Sequence, residues 1–285
     1  MEDIATRKIR NLFPDVEIIR KLGKGGQKIV YEGIHNKYGR IALKIYCPYS
    51  KTEKERALRE ISVAFRLNAS YFVKIYDYNE IELENKKVIY VIEEFIHGMT
   101  LREKLDKIKP ERIPKQEVKF IIESIINALI ITEKERLVHR DIKPTNIIIS
   151  AQRLVLIDFG IARHLDKKSI TANHARHGPM TIGYAAPEQI NNEKRKISIR
   201  TDLFSVGVLF YELLTSENPF IKGASSSEEI LNNTLKSLPD LLVNQGFDES
   251  FDCFIKKCLQ KCPHRRPYSV EMALRLFKKI NWGVS

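Results

Sequence analysis

The sequence feature that most constrains the fold is a polar run at residues 139–146 with apolar segments on both sides. The run reads His-Arg-Asp-Ile-Lys-Pro-Thr-Asn, and Ile147, Ile148 and Ile149 follow it directly. Residues 116–135, which precede it, carry apolar side chains at helical spacing. The pattern predicts a helix, a polar loop and a short strand in that order. The loop offers a carboxylate, an ammonium and an amide, which together can orient a hydroxyl group, neutralise a phosphoryl group and bind a metal ion.

A second carboxylate follows the next apolar segment. Residues 154–157 lead to Asp158, which begins the sequence Asp-Phe-Gly. Asp158 lies 17 residues after Asp141, a spacing that accommodates a short hairpin. Such a hairpin would bring the two carboxylates to one site.

These two motifs, with others in the same order across residues 16–275, resemble those of the eukaryotic-like (Hanks-type) serine/threonine protein kinases. Lys143, two places after the loop aspartate, resembles the serine/threonine branch of that family. The resemblance implies an α+β, bilobal protein kinase fold, with a small antiparallel β N-lobe that has one main helix and a larger, mostly helical C-lobe. We expect an N-terminal helical extension at residues 1–15, the N-lobe at 16–96 and the C-lobe at 97–285.

The implied reaction transfers the γ-phosphoryl group of ATP to a Ser or Thr hydroxyl of a protein substrate, with ATP and Mg²⁺ as cofactors. By resemblance, Asp141 accepts the proton of the substrate hydroxyl and Lys143 stabilises the transferred charge. Asn146 and Asp158 would bind Mg²⁺. Positioning and electrostatics carry such a reaction, because it asks for little covalent chemistry from the protein.

The expected nucleotide site begins with a glycine-rich turn between two strands, where backbone N–H groups can approach phosphates. Lys28 replaces the third glycine of the family pattern. Lys44, within an apolar strand, resembles the family's phosphate-binding lysine, although an isolated strand lysine usually faces solvent. Glu60 resembles its partner on the following helix, with Glu53 and Glu55 as the competing choices. The residues expected to bind ATP are Leu22, Gly23, Gly25, Val30, Ala42, Lys44, Glu60, Glu94, Ile96 and Ile148.

An acidic residue stands at the expected gatekeeper position. The ungapped match gives Glu94 and Ile96 the backbone contacts to adenine and puts Glu93 where the family has a side chain that borders an apolar pocket. A carboxylate there is costly unless it is paired. Either Glu93 has a cationic partner, or the register of the match is wrong by one residue.

The segment that follows Asp158 resembles a kinase activation segment. Ser169 and Thr171 lie among basic residues and are candidate phosphosites, because a phosphate there could pair with Arg140 and order the loop. A polar loop that needs no modification is the open alternative. The resemblance assigns structural or positioning roles to Arg140, Thr181, Glu188, Asp202 and Arg266.

Residues 1–14 are expected to form a short helix that packs on the N-lobe and ends at Pro14. The apolar side chains that would share one of its faces are Ile4, Ala5, Ile9, Leu12 and Phe13.

The remaining composition favours a cytoplasmic protein. No apolar run reaches the length of a membrane span, the N-terminus lacks the pattern of a signal peptide, and four cysteines suit a reducing compartment. Cys258, Cys262 and His264 are close enough in sequence to suggest zinc, but the missing fourth ligand favours buried structural thiols.

The net charge of +12 admits acidic or nucleic-acid partners. No nucleic-acid-binding motif accompanies it, so we expect protein substrates, no nucleic acid and no membrane; the oligomeric state is undetermined. Three alternatives to an active protein kinase are a pseudokinase scaffold that binds nucleotide and a partner without turnover, a small-molecule kinase and a basic nucleic-acid-binding module. Lys28 and Glu93 are the residues that suggest the pseudokinase.

Overall fold

A computed structural model describes most of the chain in two compact units, which divide after His97. We call residues up to His97 the N-terminal unit and those from Gly98 onward the C-terminal unit. The described residues are 9–24, 28–48, 50–67, 69–83, 86–109, 111–151, 153–158 and 181–283.

The N-terminal unit is built on one antiparallel sheet of five strands in the order β1-β2-β3-β5-β4. The strands are β1 (Val16–Lys24), β2 (Lys28–His35), β3 (Gly39–Tyr46), β4 (Ile75–Leu83) and β5 (Lys86–Glu94). Helix α1 (Lys51–Arg66) contacts β4, where the Lys54 ammonium lies 2.5 Å from the Glu80 carboxylate. This matches the expected small antiparallel lobe with one main helix.

The segment before β1 packs on this unit through two of its apolar residues. Residues 9–12 are helical, and Ile9 and Phe13 are buried in the same core as Tyr31 and Leu43. Phe13 meets Tyr90 edge-on, with ring centroids 5.1 Å apart. Residues 1–8, on which Ile4 and Ala5 fall, lie outside the described residues. Leu12, expected on the packing face, is exposed.

The C-terminal unit is mostly helical. Its helices are α2 (Leu101–Ile108), α3 (Lys115–Lys134), α4 (Pro187–Ile190), α5 (Ile199–Thr215), α6 (Ser227–Lys236), α7 (Glu249–Cys258) and α8 (Val270–Phe277). Three short strands form its sheet, in the order β6 (Met99–Thr100), β7 (Ile147–Ile149) and β8 (Leu154–Leu156). Single turns of 3₁₀ helix occur at Pro144–Asn146, Lys194–Lys196, Leu242–Gln245 and Pro263–Arg265.

Helix α5 is the centre of the C-terminal unit, and α3, α7 and α8 pack against it. Its sequence is apolar nearly all round, which predicts burial on every side, and nearly every residue of the helix is buried. Gly207 allows the close approach of α7, because a Cβ at that position would lie 2.7 Å from the Cβ of Cys258. Phe210 is surrounded by other aromatic rings at centroid distances of 5.7–5.9 Å; they belong to Phe251, Phe254, Phe277 and Trp282.

The four cysteines differ in exposure, and Cys47 is half-buried. Cys258 is fully buried, and burial raises the pKa of its thiol to about 12. Cys253 and Cys262 are exposed, so the interpretation as a buried thiol is wrong for Cys262. Within the described ranges, no group of three or more His, Cys, Asp and Glu side chains could hold a metal ion.

None of the described helices combines the length and the apolar composition that crossing a membrane demands.

Glu32 links strands β1, β2 and β3 through a buried carboxylate. Its side chain is 0% exposed and accepts 2.7 Å hydrogen bonds from the guanidinium groups of Arg20 and Arg40. Burial raises the pKa of this carboxyl, but the hydrogen bonds and charges of Arg40 and Arg20 outweigh it, so the net pKa is lowered. A lowered pKa in the folded state means that ionised Glu32 stabilises the fold at neutral pH.

We expect Glu32→Gln to lower the free energy of unfolding by about 1–3 kcal/mol at pH 7, because two charge-assisted hydrogen bonds weaken. The stabilising effect of Glu32 is present above the ordinary pKa of glutamate and is lost as the pH falls through the folded-state value. The stability difference should therefore shrink below about pH 4. Denaturant unfolding from pH 7 to 3.5 measures it, with exposed Glu17→Gln as the control. A difference that stays constant with pH would contradict the explanation.

Candidate active site

The structure describes the glycine-rich segment up to Lys24 and again from Lys28. Gly23 lies near the end of β1 opposite Val30 of β2, while Gly25 falls outside the described residues. Among the described residues, no atom lies within 4 Å of a Cβ built at Gly23, which leaves space beside the strand backbone there. Leu22 is exposed. Lys28 begins β2 opposite Tyr46.

Lys44 is buried in the middle of the sheet. Its Nζ lies 2.5 Å from Oε1 of Glu93, and the two side chains are 6% and 7% exposed. In the register of β3 and β5, Ala42 is opposite Glu93 and Lys44 is opposite Val91. Residues opposite each other in an antiparallel pair share a face, as do residues two apart in one strand. Lys44 and Glu93 are therefore diagonal neighbours on one face of the sheet.

This contact agrees with the first of the two explanations of Glu93. The carboxylate has a cationic partner in the strand lysine, Lys44.

The other predicted nucleotide-binding residues of the N-terminal unit lie at the sheet and on its helix. Glu60 is half-buried on α1. The backbone N–H of Glu94 donates to the carbonyl of Lys74 at 2.8 Å. Ile96 follows β5 and is half-buried. Their contacts with ATP stay predictions.

In the C-terminal unit, the polar loop after α3 is fixed through its backbone. The carboxylate of Asp202, in α5, accepts hydrogen bonds from the backbone N–H groups of His139 and Arg140, each at 2.7 Å. Asp202 is 0% exposed. The side-chain amide of Gln189 donates to the carbonyl of Arg140 at 2.9 Å. Arg140 has a φ of 65°, a strained conformation for a residue other than glycine that surrounding contacts must maintain.

Asp141 follows this fixed backbone and receives donors on both carboxylate oxygens. The hydroxyl of Thr181 donates to Oδ1 at 2.8 Å, and the amide of Asn146 donates to Oδ2 at 2.9 Å. Lys143 Nζ lies 3.0 Å from Oδ2 and donates to the Thr181 hydroxyl at 2.8 Å. The structure thus brings three predicted site residues, Thr181, Asn146 and Lys143, to the carboxylate of a fourth, Asp141.

Asn146 and Asp158, the predicted metal ligands, lie at one end of the β7–β8 hairpin. Ile147 pairs with Leu156, and the N–H of Ile157 donates to the carbonyl of Asn146 at 2.9 Å. The nitrogen of the Asn146 side chain donates to Asp141, so its amide oxygen is the atom a cation would bind. Amide and carboxylate oxygens are suitable ligands for a hard divalent cation, and the residues present fit such an ion.

Close packing beside this hairpin depends on Gly98. A Cβ at Gly98 would lie 2.5 Å from the carbonyl oxygen of Ile149 and 2.8 Å from a methyl group of Ile148. Any larger residue would force β7 away. Ile148, predicted to contact ATP, is half-buried in that strand.

Glu188 and Arg266 form a buried ion pair. Two guanidinium nitrogens lie 2.7 and 2.9 Å from the two carboxylate oxygens, and both side chains are 0% exposed. The hydroxyl of Thr201 also donates to Glu188 at 2.7 Å. The same guanidinium donates to the backbone carbonyls of Arg200 and Gln260. The pair therefore ties α4 to α5 and to the turn before α8.

One buried network was not predicted from the sequence. The hydroxyl of Tyr184 donates to Glu212 at 2.5 Å, and the guanidinium of Arg102 donates to Glu212 at 2.6 Å and to the Tyr184 oxygen at 2.8 Å. Burial, followed by the charge of Glu212, raises the pKa of the Tyr184 hydroxyl. The network fixes the segment that carries Thr181. Its members are up to 110 residues apart, and no local sequence pattern connects them. The phosphosite candidates Ser169 and Thr171 lie outside the described residues.

The chain is similar to known serine/threonine kinases. It is 33% identical over 213 residues to serine/threonine-protein kinase PknB of Mycobacterium leprae, a match that covers 74% of this chain and 33% of that protein. It is 31% identical over 272 residues to probable serine/threonine-protein kinase SCO3848 of Streptomyces coelicolor, covering 92% and 39%. The chain therefore spans about a third to two fifths of the length of these relatives.

Solved structures support the fold. The kinase domain of Mycobacterium tuberculosis PknI superposes with a TM-score of 0.70 at 21% identity, over 94% of this chain and 96% of that one. This similarity confirms the expected bilobal kinase architecture. Residues 16–276 also match the family model described as the protein kinase domain. The chain belongs to the protein kinase family.

Proposed function

We propose that this chain is an ATP-dependent serine/threonine protein kinase that transfers the γ-phosphoryl group of ATP to Ser and Thr hydroxyls of proteins. The observation that carries the proposal is the arrangement around Asp141, whose carboxylate is held by Thr181, Asn146 and Lys143. The similarity to kinases that bear the serine/threonine name supports it. Nothing in these comparisons favours the pseudokinase alternative.

In this mechanism Asp141 orients the substrate hydroxyl and accepts its proton as the oxygen attacks the γ-phosphorus. The bond from that phosphorus to the bridging oxygen of ADP breaks, and ADP leaves. Lys143, 3.0 Å from the Asp141 carboxylate, would stabilise negative charge on the transferring group. Thr181 would align the substrate hydroxyl, since its own hydroxyl bridges Lys143 and Asp141.

The N-terminal unit would position the nucleotide. Lys44 would bind the α- and β-phosphates, with Glu60 as its predicted partner. The open backbone near Gly23 would approach the phosphates, and Ala42 would lie beside the adenine ring. The backbone groups of Glu94 and Ile96 would bind its polar edge. Catalysis would then consist of alignment and charge stabilisation rather than covalent chemistry.

The metal that we propose is Mg²⁺, held by the amide oxygen of Asn146 and the carboxylate of Asp158. Mg²⁺ supplies positive charge that neutralises the phosphate oxygens during transfer. Because the hydrogen bond from Asn146 to Asp141 fixes the orientation of its amide, Asn146 would link the position of the base to that of the metal.

We also propose a cytoplasmic location, which the unbridged cysteines support, and protein substrates as the partners.

Asp141→Ala should lower the turnover number by roughly two to four orders of magnitude, because the proton acceptor is lost, while ATP binding persists. Transfer of γ-labelled phosphate to a generic protein substrate measures turnover, and titration with ATP measures binding. The exposed Asp240→Ala variant is the control for loss of an acidic residue. Undiminished turnover in Asp141→Ala would refute the assignment of the base.

Incubation with Mg²⁺ and ATP should phosphorylate Ser169 or Thr171 in the wild type and neither residue in Asp141→Ala. Mass-spectrometric phosphosite mapping measures this directly. If modification orders the loop through a new phosphate–arginine pair, the variant with both Ser169→Ala and Thr171→Ala should be less active toward added substrate. Equal activity would leave the kinase assignment intact and remove the proposed switch.

Lys44→Ala should destabilise the fold as well as abolish activity. It leaves the carboxylate of Glu93 buried without its partner, a change that costs about 3 kcal/mol or more. Thermal melting should show a loss of several degrees. The double variant Lys44→Met, Glu93→Leu removes both buried charges, so it should melt close to the wild type and still lack phosphotransfer. A single variant as stable as the wild type would contradict this account.

A further inference from the structure

The Lys44–Glu93 contact is formed entirely within the N-terminal sheet. Lys44 lies on β3 and Glu93 on the neighbouring strand β5. The hydrogen bonds between these two strands fix the position of each backbone. The diagonal relation on one face follows from the register, with Ala42 opposite Glu93 and Lys44 opposite Val91. The distance between the two charged groups therefore does not depend on where helix α1 lies. Glu60, the predicted partner, depends on that helix.

Burial makes the contact strong. The two side chains are 6% and 7% exposed, so water screens their attraction far less than it screens a surface pair. A buried carboxylate is retained where a cation compensates it, and here the cation is the residue proposed to bind phosphate. Ala42, opposite Glu93, is the small residue on the same face and leaves room for the glutamate side chain to reach Lys44.

A lysine ammonium has three N–H donors, so one bond to Glu93 does not prevent others to a phosphate and to Glu60. We infer that Glu93 is a positioning residue for the phosphate-binding Lys44, a second carboxylate carried by the sheet that holds the ammonium in place together with the carboxylate on α1. This inference rests on the proposed role of Lys44 in binding ATP. It assigns a function in nucleotide positioning to a residue at a place where the family pattern has a side chain that borders an apolar pocket.

The inference is tested by a double-mutant cycle with Glu60→Gln and Glu93→Gln. The measured quantities are kcat/KM for ATP per active site, the affinity for ATP by calorimetric titration, and the melting temperature of each protein. Each single variant should retain most of its activity, because the other carboxylate still holds Lys44. The double variant should lose at least about tenfold more kcat/KM than the product of the two single losses.

Charge and shape are separated by Glu93→Asp in the Glu60→Gln background. Aspartate keeps the charge but is shorter, whereas glutamine keeps the shape without the charge. A positioning role through charge requires that the aspartate variant be the more active of the two. A role in packing alone requires the reverse order and a change in melting temperature. Glu80→Gln in the same background is the matched control, since Glu80 is a sheet carboxylate that pairs with Lys54.

The inference is overturned if the double variant loses only the product of the two single losses in kcat/KM, that is, if the free-energy effects are additive. Complete inactivity of Glu60→Gln alone would also overturn it. The wild type separates this failure from failure of the proposed function. If the wild type transfers phosphate and the losses are additive, only the role of Glu93 is wrong. If the wild type transfers none, the kinase proposal fails, and the ATP affinities of the same four proteins still report on Glu93: a non-additive loss supports its role, and additive effects refute it.

Discussion

The geometry of the C-terminal unit depends on the hydrogen bonds that Asp202 accepts from the backbone of residues 139 and 140. A fully buried carboxylate is stable when donors satisfy it, and the two N–H groups at 2.7 Å do so. These hydrogen bonds also maintain the strained φ of Arg140. They therefore fix the orientation of the backbone at Asp141, the next residue. Because Asp202 belongs to α5, the aromatic cluster around Phe210 in the same helix also supports the position of Asp141, the proposed base.

A second set of hydrogen bonds and ion pairs holds the segment that carries Thr181. The buried pair of Glu188 and Arg266 anchors α4 to α5, and Tyr184 is held through Glu212 to Arg102. Removing Glu188 or Arg266 would leave the charge of the other residue buried without the ion pair, which is far more costly than never having the pair. The segment between Thr181 and Glu188 is therefore fixed at both ends, and the Thr181 hydroxyl is kept within hydrogen-bond distance of Asp141.

The fold class was predicted from several short motifs that resemble, in order, those of the protein kinases. The helix, polar loop and strand around Asp141 were predicted because the spacing within residues 139–146 and the change from helical to strand periodicity are local signals. The partner of Glu93 was not readable, because it depends on the register of β3 against β5, which strand patterns leave undetermined. Gln189 and the Arg102–Glu212 contact were missed for a related reason: they join residues 49 and 110 positions apart and have no periodic signature. The burial of Cys262 was predicted wrongly. Cys262 follows the end of α7 at Cys258, and helical spacing does not indicate exposure beyond the end of a helix.

The position of Glu93 on the sheet affects how the activity of such a domain could be regulated. Where a helix carries the only carboxylate, a shift of that helix releases the lysine, and the domain can be switched by moving one element. A carboxylate on β5 keeps Lys44 in place through the ladder of the sheet, and opening that ladder would disrupt the core of the N-terminal unit. Control would then have to act on elements other than α1. The segment that carries the proposed phosphosites Ser169 and Thr171 is one candidate, because phosphorylation would change its charge.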